Sequence, residues 1–521
     1  MQTVVLVNPP GLKGRTNERT MSGGIGVSRK LKPFETVAVE VPPIDLLYLA
    51  AVAENAGAAV RIVDLVLEDL HGQAAERHCA AHFGERHPGR TWVGVRLSMP
   101  SLIEDLRFAN RMKALLPDCT VFVFGPVIMV AIDHFIRDAA VDYVLYGEPE
   151  AFFDRVLEAA DPASVKGVID PAQYIPLARN DRYDEQKVTA QYAQWIRVDA
   201  LSSLPRPAWN LLDLPRYGGA EIGVNIQASR GCPINCNMCP YVLLEGVRWR
   251  SNDIDRVVDE IEYLNTSLGI HRVRFRDPNF GFSRQYARRL AEALIARGLT
   301  LSATIESSVE VFDEETLWML RRAGITTITT GVETNDPACM ASIGQKIAVN
   351  DKLRDRIRLC HDLGFHVYGT YCLGTPEETW ETVETTWRFA NELDIESGFT
   401  VMTPFPGTPI YWRSIREGLL DKRMQFSKWN SYAATVRTYA LTTRDLEMAR
   451  WWARMETIIP YRYERARSAG RRALLDFYRR HAAHYVWRLV CRAYVAYRRR
   501  FPARALTASI RSEFSTANRA G

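Results

Sequence analysis

Three cysteines fall in one short stretch, Gly231-Cys232-Pro233-Ile234-Asn235-Cys236-Asn237-Met238-Cys239-Pro240, spaced C-x3-C-x2-C. The glycine and prolines around them are turn residues, so the thiols sit in a loop and not in a buried run. A structural zinc site needs four ligands, usually as two close pairs, and no second pair follows at a suitable distance. A thioredoxin-like C-x-x-C leaves Cys232 without a role. Four thiolates usually hold a [4Fe-4S] cubane, so a loop offering three leaves one iron open to another ligand. Whatever fold surrounds the loop has to present that open iron.

The flanking pattern supplies such a fold. Ile222 to Ala228 reads as a strand feeding the loop, and a helix follows from Asp253 to Leu264. Further strands are predicted at Val273–Arg276, Leu301–Ile305, Thr326–Gly331, Val367–Leu373 and Gly398–Met402, each followed by a helical pattern. Six such units over residues 216–425 make a partial (β/α)6 barrel. In barrels of this type the chemistry sits at the carboxyl ends of the strands, where the loop falls.

Residues 1–165 carry the same alternation, with strands at Val4–Val7, Val60–Val63, Trp92–Leu97, Val121–Phe124 and Tyr143–Leu145 and a helix from Ile44 to near Gly57. The α/β pattern specifies a Rossmann-like, doubly wound parallel sheet that binds ligands beyond its strand ends. Residues 11–41 form a long loop, read as a lid or part of a substrate entrance. Residues 166–215 have little periodicity and read as a linker, and residues 426–521 as a helical C-terminal region.

The cysteine loop, with Ser229-Arg230-Gly231 before it, resembles the signature of radical S-adenosylmethionine (SAM) enzymes. The resemblance implies that Cys232, Cys236 and Cys239 are the catalytic metal ligands of a [4Fe-4S] cluster. Its open iron chelates SAM, which an electron cleaves to a 5'-deoxyadenosyl radical, and Met238 packs near the adenine. The first domain resembles the cobalamin-binding domain of one large subgroup through Asn8-Pro9-Pro10, the helix opening at Pro42-Pro43, and Tyr146-Gly147-Glu148-Pro149-Glu150. Asp45 stands where that helix usually has Gly. By resemblance, Asn8, Pro9, Ser98, Met99, Gly125, Pro126, Gly147 and Glu148 are the cobalamin-binding candidates. Asp277, Ser307, Glu333 and Gly374 are the further SAM-binding candidates, and Tyr371 is a substrate neighbour at the same rim. The D-x-H-x-x-G motif that supplies a histidine below cobalt in many cobalamin proteins is missing: Asp69-Leu70-His71 has Ala74 where the glycine belongs. Cys339, Cys360 and Cys372 read as small core residues.

The resemblance implies a cobalamin-dependent radical SAM methyltransferase that methylates an unactivated carbon, or alternatively phosphorus, through methylcobalamin. The substrate class is a small molecule, natural product or lipid, with flavodoxin or ferredoxin as reductant. A cyclising or rearranging enzyme without methyl transfer, and a non-catalytic cobalamin sensor, are the rivals. A net charge of +5 gives no reason to expect nucleic acid as a partner. Nine cysteines without framework spacing, no leader pattern and no long apolar run lead to the expectation of a cytoplasmic protein. The segment Arg471–Arg500 places Leu474, Tyr478, Tyr485, Leu489 and Tyr494 near one face among many arginines. This basic helix either lies peripherally on an anionic membrane or packs on its own domain with its arginines in solvent.

Overall fold

The computed structural model describes residues 2–13, 15–18, 27–30, 41–83, 89–175, 195–217, 223–344, 351–420 and 425–502. Strand β1 (Thr3–Asn8) is buried along its whole length, as a central strand covered on both faces must be. It pairs in parallel with β4 (Ala59–Asp64) on one side and β5 (Thr91–Arg96) on the other. Beyond β5 come β6 (Thr120–Phe124), β7 (Tyr143–Leu145) and an antiparallel edge strand, β8 (Val168–Ile169). The pattern of successive residues facing opposite sides is exact here: Val4, Leu6, Trp92 and Phe122 join one core cluster, and Val5, Val7, Val93 and Val121 join another. Helix α1 (Ile44–Asn55) covers the first face, and α2 (Gly72–Ala81), α3 (Leu102–Leu115) and α4 (Ile128–Phe135) the second. Of the long loop after β1, the described part is a hairpin of β2 (Arg15–Glu18) with β3 (Val27–Lys30); the rest of the expected lid lies outside the described residues.

The stretch from 195 to 217 does not behave as a linker. Trp195, Val198, Leu201, Leu204, Trp209 and Tyr217 are all buried. Ile196 bridges to Gly147, and the Ala208 amide donates to Leu47 O at 3.2 Å. The indole of Trp209 donates to Glu260 at 3.2 Å, which fastens the strap to the barrel. Its apolar residues fill gaps between two units and so follow neither a helical nor a strand period. β8 also lies past residue 165, so the first sheet reaches into the segment read as linker.

The second sheet has the order β16-β15-β14-β13-β12-β9, all parallel: β9 (Val224–Ile226), β12 (Arg272–Phe275), β13 (Ser302–Glu306), β14 (Ile325–Glu333), β15 (His366–Leu373) and β16 (Glu396–Val401). Among the described residues β9 and β16 do not pair, which leaves the barrel open on one side. Between β9 and β12 a short antiparallel pair, β10 (Ser229–Arg230) with β11 (Arg250–Ser251), closes the base of the cysteine loop.

Two long helices end the described chain, here labelled α5 (Thr443–Ser468) and α6 (Arg471–Arg500). α5 lies along β16, and α6 packs on α5. The arginines of α6 are not simply solvated, and the expected face packs only in part, through Tyr485 and Tyr494. Phe477, Cys491 and Val495 are buried, whereas Tyr478 and Leu489 are exposed. Arg488 and Arg492 both close on Glu456, and Arg498 grips Asp445 through two bonds of 2.7 and 2.8 Å. Asp445 also completes the capping box with Thr442 at the start of α5. Removing one member of a buried ion pair strands its partner, so Asp445→Ala is expected to destabilise the two-helix unit by about 3 kcal/mol. Release of the α5–α6 unit to limited proteolysis at lower urea than wild type is the measurement.

Candidate active site

Inside the β10–β11 base, the loop is held by its own backbone. The Cys232 amide donates to Gly246 O at 3.0 Å, and the Asn237 amide donates to Ile343 O at 2.8 Å. Gly231 has φ +85° and packs directly against the Arg248 carbonyl, so a side chain there fails on both counts. Its amide donates to the buried Glu245 carboxylate at 2.9 Å. Asn235 takes the left-handed conformation at φ +55°, which turns the chain between the first two cysteines.

Cys232, Cys236 and Cys239 all line a cavity of about 390 Å³ at the carboxyl end of the barrel. Burial pushes all three thiols above their ordinary pKa, Cys236 to about 11. Thiols raised in this way stay protonated unless a cation replaces the proton. Among the described residues no three His, Cys, Asp or Glu side chains converge on a point where a single ion would sit.

Strand alternation decides what else reaches the cavity. Thr329, Gly331 and Glu333 of β14, Thr370 and Cys372 of β15, and Thr400 of β16 line it, together with Met238 and Ser307. The intervening Ile328, Val332, Tyr371, Leu373 and Phe399 belong to the surrounding apolar core. Tyr371 therefore points away from the site and stacks on Phe399 with ring centroids 4.9 Å apart. It is not a neighbour of the cavity, because Thr370 and Cys372 take the inward positions. Cys372, read from sequence as core, is buried in a small apolar cluster with Met402 and Ile410 and also lines the cavity.

Glu333 is half-buried at φ +63°, beside a break in register between β14 and β15, and its carboxylate makes no hydrogen bond among the described residues. Burial raises it to about 7. Ser307 donates to Asn279 Oδ1 at 3.0 Å and accepts from the Gly281 amide at 3.1 Å. Asp277 and Gly374 do not line the cavity. Asp277 accepts from the Ala228 amide at 3.0 Å and from Ser229 Oγ at 2.5 Å, so its carboxylate braces the strand that leads into the cysteine loop. The Gly374 amide donates to the buried Glu378 at 3.0 Å.

A second cleft, of about 100 Å³, opens between the strand ends of the first sheet and the cysteine loop. Gly125, Pro126, Gly147 and Glu148 line it with Ile44, Phe124 and Met129, and Arg230, Tyr241, Leu244 and Arg276 form the opposite wall. Asn8, Pro9, Ser98 and Met99 do not. Asn8 donates to Asp64 at 2.9 Å, Ser98 bonds with Ser101 and Asp105, and Met99 lies in the core. Tyr241 lines both cavities, and Arg276 beside it donates to the Tyr241 hydroxyl at 2.8 Å and pairs with Glu306 at 2.5 Å. These three side chains are the partition.

Glu148 does more than line a wall. It accepts two bonds from Arg250, at 2.9 and 2.8 Å, and one from the Val198 amide at 2.6 Å, and it lies 3.3 Å from Arg230. Arg230 also reaches Glu150 at 2.5 Å. Sequence reading marked Glu148 but missed its partners, which lie between 50 and 102 residues away and carry no local signal.

Residues 226–390 match the radical SAM superfamily. An uncharacterised methyltransferase of Pyrococcus horikoshii is 28% identical over 410 residues, covering 78% of this chain and 85% of that one. The cytidylyl-2-hydroxyethylphosphonate methyltransferase of Streptomyces wedmorensis is 21% identical over 421 residues, 73% of this chain and 79% of its own. Residues 226–390 thus carry a radical SAM domain, and the chain is similar over most of its length to methyltransferases of that superfamily. Its fold agrees: the radical SAM methyltransferase TsrM of Kitasatospora setae superposes with a TM-score of 0.62 at 21% identity, over 80% of this chain and 76% of TsrM. The cobalamin-dependent SAM radical enzyme OxsB gives 0.68 at 12% identity, over 92% of this chain and 71% of OxsB. In this family setting the two cavities lie where the two sheets meet, and the Arg230 network holds them in register.

Although burial alone raises a carboxyl, Arg230 and Arg250 hold Glu148 below the usual range. Its stabilisation is complete above the unfolded carboxylate pKa, about 4.3, and is lost as pH falls through the depressed folded value. Arg250→Met is therefore expected to cost about 3 kcal/mol at neutral pH, with the deficit shrinking below about pH 4. Thermal unfolding of both proteins across pH measures it.

Proposed function

We propose that this enzyme methylates an unactivated carbon, with a phosphinate phosphorus as the other acceptor consistent with the chemistry. The observation that carries the proposal is the sharing of Tyr241 by two cavities, one holding the three-cysteine loop and the other opening on the first sheet's strand ends. The donor sets fit the groups required. Three thiols on one cavity wall, Cys232 buried and Cys236 and Cys239 half-buried, suit iron, and the largely apolar cleft at Ile44, Phe124, Pro126, Met129 and Leu244 suits one edge of a corrin. When bound, the cluster supplies one-electron cleavage of SAM, and cobalamin supplies the methyl group to the substrate radical.

The protein's own part is binding, orientation and exclusion of water. Glu333, a carboxylate without a partner on the cavity wall, is placed to receive the SAM ammonium, and Ser307 to bond its polar edge. Met238 lines the same wall and gives a soft apolar surface for the adenine. Asp277 acts indirectly, by bracing the strand before the loop. Tyr241 with the Arg276–Glu306 pair limits water passage between the compartments. No side-chain base is assigned, since hydrogen abstraction by a radical leaves no proton for one to take.

Anaerobic reconstitution with methyl-labelled SAM tests the reading. Reductive formation of 5'-deoxyadenosine is expected in wild type and at least 100-fold less in Cys236→Ala, by the general scale of losing a step's essential group. Label in the product supports methyl transfer; 5'-deoxyadenosine with an unlabelled product means cyclisation or rearrangement.

No helix among the described residues is long and apolar enough to cross a membrane. We place the protein in the cytoplasm, in contact with the anionic inner membrane face through the exposed Leu475, Val486, Leu489 and Val490 of α6, interleaved with Arg479 and Arg480. Flavodoxin or ferredoxin then supplies the electron. Sedimentation with phosphatidylglycerol vesicles but not phosphatidylcholine vesicles is expected, and its loss in the double variant Val486→Glu, Leu489→Glu.

A further inference from the structure

Helix α5 runs along β16 beside the open side of the barrel, and one of its residues is out of keeping with a packed interface. Arg450 is 3% exposed, yet its Nε and Nη1 have no hydrogen-bond partner, and it pairs with no carboxylate among the described residues. The other arginines on these two helices that turn inward meet acids: Arg488 and Arg492 meet Glu456, and Arg498 meets Asp445. Arg450 instead lies between two rings, with its guanidinium carbon 5.4 Å from the centre of Tyr432 and 4.5 Å from that of Trp451. Ring faces attract a cation but do not accept its directed N–H bonds in the plane of the guanidinium. Burial and the nearby Arg454 depress its pKa to about 10, which still leaves it charged at neutral pH.

A buried, charged and unsatisfied guanidinium is costly to keep. Its position suggests what the cost serves. Tyr432, the ring it rests on, lines the cavity that contains the three cluster cysteines. The cysteine loop and Glu333 line the same cavity as Tyr432. The planar fork of an arginine matches a carboxylate or a phosphoryl group, each of which offers two oxygens in one plane.

We propose that Arg450 binds an oxyanion of the substrate, a carboxylate or a phosphoryl group, beside Tyr432, so that the opposite end of the molecule lies under the cluster. The substrate is thus anionic, with the charged group at one end and the carbon to be methylated at the other. This rests on the functional reading above, since it treats the cluster cavity as the place of reaction.

Calorimetric titration of the full-length reconstituted protein with phenylphosphonate, phenylacetate and uncharged benzyl alcohol tests it. One of the two anions is expected to bind at least tenfold more tightly than the alcohol, and which one does so tells phosphoryl from carboxylate. Arg450→Gln is expected to remove that preference, and Arg450→Lys to retain part of it. SAM binding and 5'-deoxyadenosine formation without substrate are expected to be unchanged in both variants. Arg450→Met is expected to raise the melting temperature, because it removes an unpaired buried charge; a purely structural arginine would lower it. The proposal is overturned if wild type shows no preference for either anion, if Arg450→Gln keeps it, or if the variants lose SAM binding, which would put Arg450 in the SAM site. Absence of 5'-deoxyadenosine from wild type, with the anion preference intact, would count against the functional reading and not against the anion site.

Discussion

Everything about the site depends on four side chains that cross from one sheet to the other. Glu148 and Glu150 leave the last parallel strand of the first sheet, and Arg230 and Arg250 stand at the two ends of the cysteine loop, paired across β10 and β11. All four are buried, or nearly so, and desolvating them is tolerable only because they meet one another in close, multiply bonded geometry. The geometry fixes where the loop stands relative to the strand ends, and so fixes the cleft and the cluster cavity as neighbours. Glu148 also takes the Val198 amide, which draws the strap over the joint. One carboxylate thereby touches the first sheet, the strap and the loop.

This arrangement explains what was legible in the sequence. Strand and helix positions followed from period and length, because each element buries a face of its own. The cysteine loop was legible because its chemistry is local. The strap was not, since Trp195, Val198 and Trp209 are spaced to fill an irregular seam and look like loop composition. Tyr371 was misplaced for a simpler reason: at a strand end, one residue of error in phase reverses inside and outside. Asp277, marked from sequence as a SAM-binding candidate, does not line the cavity, and its carboxylate is spent on the backbone and hydroxyl before the loop. Partners distant in sequence, such as Arg250 for Glu148 or Glu456 for Arg488, leave no local trace.

The C-terminal helices show how much a charge pattern conceals. A basic stripe with interleaved aromatics was expected to leave its arginines in solvent, but several of them close on buried acids of the preceding helix. Against that regular pairing, Arg450 is an exception on the same helix pair, and exceptions to charge satisfaction in a well-packed region are where ligand binding leaves its mark. The barrel's inward residues give a similar message. Its lumen is lined at the top by Thr329, Thr370 and Thr400, small polar groups that leave space, while the bulky residues of the same strands face outward.

The central claim is that the cluster loop and the first sheet's strand ends are locked together with only Tyr241 and the Arg276–Glu306 pair between their cavities. Pulsed electron paramagnetic resonance on the anaerobic protein, carrying a reduced cluster and cobalamin with paramagnetic cobalt, measures this directly. The account predicts strong magnetic coupling between the two spins. Two independent, uncoupled signals, with both centres fully loaded, would contradict it.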